Sequence, residues 1–162
     1  MPAPQPGIAP CLWFATEAEE AARFYVSTFP NSRVDHVMRS AVDWPGGKAG
    51  EVLFVAFTLH GQPYQALNGG KHDAFNDAVS LSVSCRDQAE TNRLWDALIE
   101  GGGKAVQCGW LIDRYGLRWQ IVPQEFMEMM QSAEGEQPRR LMTAMMGMVK
   151  LDVAALKRAY DG

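Results

Sequence analysis

Three cysteines and three histidines are the scarcest reactive side chains in this 162-residue chain, and their spacing assembles no site in the sequence. Nucleophilic catalysis needs a serine or cysteine beside a histidine that an acid orients. Cys85 and Cys108 have no such neighbours and read as small buried hydrophobes. His36 and His60 fall on strand-like segments without a ligand-type partner at i+2 or i+4, and His72 falls in a loop. Gly101-Gly102-Gly103-Lys104 follows a helix and precedes a strand, the reverse of the strand-to-helix turn that binds a dinucleotide or S-adenosylmethionine. It also lacks the spacing of a phosphate loop, so it reads as a helix stop. Asp113-Arg114 reads as a solvated pair in a hairpin turn, and Trp13, Trp110 and Trp119 as strand residues packed in the core, with stacking on a ligand as the alternative.

The elements that would position any site come in two copies. An apolar run over 8–15 is followed by Thr16-Glu17-Ala18-Glu19, which reads as a capping box with Thr16 as cap. Ala18, Ala21, Ala22, Tyr25 and Phe29 then recur at helical spacing, and Pro30-Asn31-Ser32 stops the helix. Strands follow over 33–40, 51–60 and 64–67, the middle one apolar on both faces. A glycine-rich connection carrying Trp44 separates the first two, and His60-Gly61-Gln62-Pro63 turns between the last two.

The second copy opens with Leu81, Val83 and Cys85 alternating against Ser80, Ser82 and Ser84, one packed face and one wet face. Asp87-Gln88-Ala89-Glu90 caps its helix, and Leu94, Trp95, Leu98 and Ile99 form the buried stripe. Strands follow over 104–107, 110–113 and 117–122, with Asp113-Arg114-Tyr115-Gly116 as a hairpin turn and Pro123 as the stop. Setting Glu17 on Asp87 aligns Tyr25 with Trp95, whereas setting Thr16 on Asp87 aligns the two caps. The repeat is therefore clear in kind and open by one residue in register. After Pro123 the chain becomes methionine-rich and helical around a polar break over 131–140. These methionines read as core or interface filler, with a partner-binding surface as the sharper alternative.

Bulk properties exclude several classes. A net charge of −4 and pI near 5.3 argue against a general nucleic-acid binder. No apolar run approaches the roughly 20 residues of a membrane span. Met1-Pro2-Ala3-Pro4-Gln5-Pro6-Gly7 has neither the basic nor the apolar part of a secretory signal and reads as a flexible lead-in. Three widely spaced cysteines suit buried thiols in a reducing cytoplasm.

Several of these stretches together resemble a known family. They are Pro10-Cys11-Leu12-Trp13-Phe14, Glu19-Glu20-Ala21 with Phe24-Tyr25, Phe29-Pro30-Asn31-Ser32 and Gly61-Gln62-Pro63. Asn68-Gly69-Gly70, Cys108-Gly109-Trp110-Leu111 and Asp113 through Pro123 complete the set. The chain resembles the PhnB-like branch of the vicinal-oxygen-chelate superfamily, often labelled 3-demethylubiquinone-9 3-methyltransferase. The resemblance runs over about 8–160.

It implies an α+β fold of tandem βαβββ modules, over 8–70 and 79–123, forming a cupped mixed sheet of the glyoxalase/bleomycin-resistance type. A helical extension over 124–162 and a homodimer are also expected. Metal-using relatives hold their ion at positions that correspond here to Pro10, Gln65, Ser80 and Gln120, with Cys11 replacing Pro10 if the first strand slips by one residue.

Imidazole, thiolate and carboxylate are the ligands such ions need, and neutral amides and hydroxyls are poor substitutes. The expectation is thus a metal-free, cofactor-free small-molecule binder. Gln65, Ser80 and Gln120 would supply the polar groups, and Phe14, Leu12 and Trp44 the apolar wall. An enzyme of unknown reaction in the same cleft and a dimeric assembly module are the alternatives.

Overall fold

The computed structural model describes residues 7–162, so all but Gly7 of the expected lead-in lies outside the described residues. The chain divides into two compact units, the first ending at Asp73 and the second running from Ala74 to Gly162. Each unit contains the same βαβββ run, and the fold is mixed α+β.

In the first unit β1 (Cys11–Phe14), α1 (Ala18–Thr28), β2 (Arg33–Arg39), β3 (Val52–Leu59) and β4 (Gln62–Asn68) follow in order. The sheet order is β1-β4-β3-β2, with β1 parallel to β4 and the other pairs antiparallel. His60 and Gly61 join β3 to β4 with φ of 49° and 82°, the pair of left-handed residues that a two-residue hairpin with twisted strands requires.

Registers fix the faces. Tyr25 of α1 stacks on Phe57, which pairs with Tyr64, while Val55 pairs with Ala66 and Ala66 with Leu12. Leu12, Phe14, Val55, Phe57 and Ala66 therefore lie under α1 as the core, where each large apolar side chain contributes about 1.5–3 kcal/mol of burial. Cys11, Trp13, Phe54, Ala56, Gln65 and Leu67 take the opposite face.

The second unit repeats this with β5 (Ser80–Cys85), α2 (Gln88–Ile99), β6 (Lys104–Ala105), β7 (Trp110–Ile112) and β8 (Arg118–Pro123), in sheet order β5-β8-β7-β6. Gly101 and Gly102, with φ of 76° and 115°, end α2 as the triple glycine implied. The one-residue ambiguity of the repeat has a simple origin. Ala15-Thr16-Glu17 links β1 to α1, whereas only Arg86-Asp87 links β5 to α2. Strands thus align Phe14 with Cys85, and helices align Ala18 with Gln88.

Two caps differ. Asp87 accepts the Glu90 N–H at 2.8 Å, and the Glu90 carboxylate returns to the Arg86 N–H at 2.7 Å. Thr16 does not cap α1. Glu17 stands at the N-cap, its carboxylate accepting the Thr16 N–H rather than a helix N–H, and the Ala18 N–H is taken at 2.8 Å by Asn68 Oδ1 from the end of β4. Glu19 pairs with Arg23 one turn on instead of reaching back.

The extension forms α3 (Gln124–Ser132), α4 (Gln137–Met146) and α5 (Val153–Asp161). The polar break ends earlier than composition implied, because Arg139 and Arg140 are helical and Arg140 bonds the Ala159 and Tyr160 carbonyls that close α5. Phe126, Leu141, Leu151 and Leu156 are the buried centre of this layer, with Met129, Met130, Met145 and Met148 packed round them. Val122 of β8 packs against the same centre and ties the layer to the second sheet. Among the described residues no helix is long and apolar enough to cross a membrane.

Candidate functional site

The second sheet supplies the site. α2 packs across β5, β7 and β8 on the face of Leu111, Trp119 and Ile121. Register places the remaining side chains on the other face: Ser82 opposite Gln120, Ser84 opposite Val122, and Trp110 opposite Gln120. Strand alternation thus delivers the wet serine row and a glutamine to one surface. A cavity of about 420 Å³ opens on it. Ser82, Ser84, Trp110, Gln120 and Val122 come from the sheet, Cys108 from the turn before β7, and Phe126, Met127, Met145 and Leu151 from the extension.

The polar part of the lining carries no carboxylate, ammonium or guanidinium group. Gln120 Nε2 donates to Ser80 Oγ at 2.9 Å, which orients the amide across β5 and β8. The turn at Cys108-Gly109 is held from the extension side. The Cys108 N–H bonds the Met148 carbonyl and the Gly109 N–H bonds the Val149 carbonyl, each at 2.8 Å. Gly109 sits at φ 81°, and a Cβ there would lie 3.0 Å from both the Ile121 carbonyl oxygen and Leu151 Cγ.

The expected residues separate. Ser80 and Gln120 are brought together. Gln65 lies on β4 beside Cys11, on the face of the first sheet away from α1. Burial raises the Cys11 thiol above its ordinary pKa, although the residue is exposed rather than buried as its type suggested. Phe14, 3% exposed, and Leu12 belong to the core beneath α1, not to the open face, because they alternate with Cys11 and Trp13 along β1.

Trp44 lines a different cavity, of about 290 Å³, with Thr16, Glu19, Arg39, Glu51 and Asn68. Its indole N–H bonds the Asn68 carbonyl at 2.8 Å. Trp13 is 44% exposed on the open face, and its Nε1 donates to the Gly70 carbonyl. Trp110 lines the cavity, so of the three strand tryptophans only Trp119 is fully core.

Asp113 also departs from expectation. It is 2% exposed, not a solvated turn residue. Its carboxylate accepts the Trp119 indole N–H at 2.8 Å and the Tyr115 and Leu117 N–H groups, which satisfy the buried charge.

The metal that the resemblance implies is not matched by the donors present. Ser80 and Gln120 offer a hydroxyl and an amide already bonded to each other, and Gln65 another amide. Among the described residues no group of three His, Cys, Asp or Glu comes together. S-adenosylmethionine fits no better, since neither strand-to-helix turn, Ala15-Thr16-Glu17 or Arg86-Asp87, contains glycine.

Ser82, Ser84 and all of the extension's contribution to the cavity were not expected from the sequence, and Trp110 takes the alternative place, at the cavity, rather than the favoured one in the core. The serine alternation was the available signal. The methionines carried none, because their stripe suits a core and a cavity wall equally.

Comparison with known proteins agrees with this topology. The family model described as 3-demethylubiquinone-9 3-methyltransferase matches residues 6–122. The PhnB protein from Bacillus cereus, which carries the same methyltransferase description, is 32% identical with a TM-score of 0.66. That match covers 73% of this chain and 99% of the Bacillus chain. Protein PA1353 from Pseudomonas aeruginosa is 19% identical with a TM-score of 0.61, covers 74% of this chain and 98% of its own, and shares the fold. No curated protein matches. The family model ends at β8, so α3, α4 and α5 lie beyond it. The repeated βαβββ unit and the match across both copies place the chain in the 3-demethylubiquinone-9 3-methyltransferase-labelled, PhnB-like family.

Proposed function

We propose that this chain is a metal-free small-molecule-binding protein whose ligand lies against the open face of β5, β7 and β8. The observation that carries the reading is the cavity of about 420 Å³ whose polar lining is hydroxyl, thiol and amide, without a charged group. Binding pockets are commonly apolar with a few placed polar groups, and this lining has that composition. Methyl transfer is not part of the reading, because the label's cofactor has no glycine-bearing turn to receive it.

A thermal-shift screen of a metabolite library, run with and without a chelator, tests the proposal. Stabilising compounds should emerge and act equally in both conditions, since binding to the native state raises the melting temperature by mass action. A library without a single stabilising compound, or stabilisation that the chelator abolishes, contradicts it.

A homodimer remains part of the proposal. Met142, Met146 and Val149 are exposed apolar side chains around the end of α4, Met146 at 57%. Light scattering after size-exclusion chromatography distinguishes a dimer from a monomer directly.

A further inference from the structure

We propose that α3, α4 and the loop into α5 form a specificity wall added to the second βαβββ unit. This wall restricts the cavity to uncharged, largely apolar ligands with a hydrogen-bonding edge. The inference rests on the binding function above and names its ligand class.

The cavity has two halves of different origin. Its hydrogen-bonding half, Ser82, Ser84 and Gln120, comes from strands within the family match. Trp110 and Val122 of the sheet add apolar surface, but most of the apolar lining, Phe126, Met127, Met145 and Leu151, comes from the segment beyond residue 122. Ser82 and Ser84 stay exposed beside that segment, and its side chains give a ligand on the sheet a second, apolar side to lie against.

The wall is held in place. Two backbone bonds join 108–109 to 148–149. The Gln88 side chain then grips both ends of the next turn: Nε2 donates to the Leu151 carbonyl at 3.1 Å, and Oε1 accepts the Val153 N–H at 2.7 Å. An ion entering such a lining would lose hydration without gaining a counter-charge, so charged ligands are rejected. Unbranched thioethers adapt to the outline of a flat ring, so shape is tolerated more than charge.

The test uses the full chain labelled at methionine methyl and tryptophan indole groups, followed by NMR. The probes are 2-naphthol, neutral near pH 7, and naphthalene-2-carboxylate, its charged counterpart. The expected result is that 2-naphthol moves the Met127, Met145 and Trp110 signals. Met127→Ala should weaken it about fivefold, as loss of a few apolar contacts predicts. Naphthalene-2-carboxylate should bind at least about tenfold more weakly. Met127 is half exposed, so its replacement leaves the fold intact.

If 2-naphthol moves Trp110 while Met127→Ala and Met145→Ala leave its affinity unchanged, the wall is overturned and the binding reading survives. Equal binding of both probes overturns the ligand class. If neither probe moves Trp110, Met127 or Met145, the inference falls, and the library screen decides whether the binding reading falls with it.

Discussion

Gln120 and Ser80 meet side chain to side chain at 2.9 Å across the parallel pair β5 and β8. They occupy two positions where the resemblance implies metal ligands, and here they satisfy each other. Gln120→Ala should cost about 1 kcal/mol of stability, the usual net value of one half-buried hydrogen bond. It should also weaken ligand binding in the cavity. Urea unfolding and the naphthol titration measure the two effects; a variant unchanged in both would remove Gln120 from the site.

Gln88 holds the extension through two bonds from one amide. Gln88→Ala should destabilise the second unit by about 1–3 kcal/mol, because the Leu151 carbonyl and Val153 N–H lose their partner. Hydrogen exchange should rise selectively at the start of α5, where the Val153 N–H loses its acceptor and only the Asp152 cap remains. Uniform exchange across α2 and α5 would contradict the clamp.

Gly69 lies against the Trp13 ring so closely that a Cβ would overlap the indole. The same ring donates to the Gly70 carbonyl. Gly69→Ala should therefore cost about 1–3 kcal/mol through overpacking. Combining it with Trp13→Ala should recover part of that loss, since the clash needs both partners. Strict additivity in thermal unfolding would show that the glycine serves some other purpose.

Glu90 titrates below the usual carboxylate range, first because it accepts the Arg86 N–H and then because the Arg86 guanidinium lies beside it. A lowered folded-state pKa stabilises the protein above the unfolded value, and that contribution disappears as pH falls through the folded one. Glu90→Gln should thus destabilise at neutral pH by about 0.5–1 kcal/mol, as expected of a charge-assisted cap whose guanidinium partner is exposed. The gap to the parent protein should close on acidification below the ordinary carboxylate range. A gap independent of pH would mean that the charge contributes nothing.

The paired βαβββ pattern was legible because its signals are local: the Ser80, Ser82 and Ser84 alternation, the Asp87 to Glu90 cap, the glycines after α2. The cap of α1 was not, since Asn68 supplies it from fifty residues away and displaces Thr16. Asp113 misled for the same reason. A carboxylate in a turn reads as solvated until Trp119, Tyr115 and Leu117 are seen to donate to it. Ser80 and Gln120 could be paired from the resemblance, but the cavity beside them needed α3 and α4 in place. Helical periodicity says which side of Met127 and Met145 is apolar, and nothing about what that side covers.

The most direct test is a crystal structure of the full chain with the compound that stabilises it most. Density is expected between Gln120 and the Phe126–Met127 edge, touching Ser82 or Ser84, with no coordinated ion. Density elsewhere, or a metal held by Gln120 and Ser80, would contradict it.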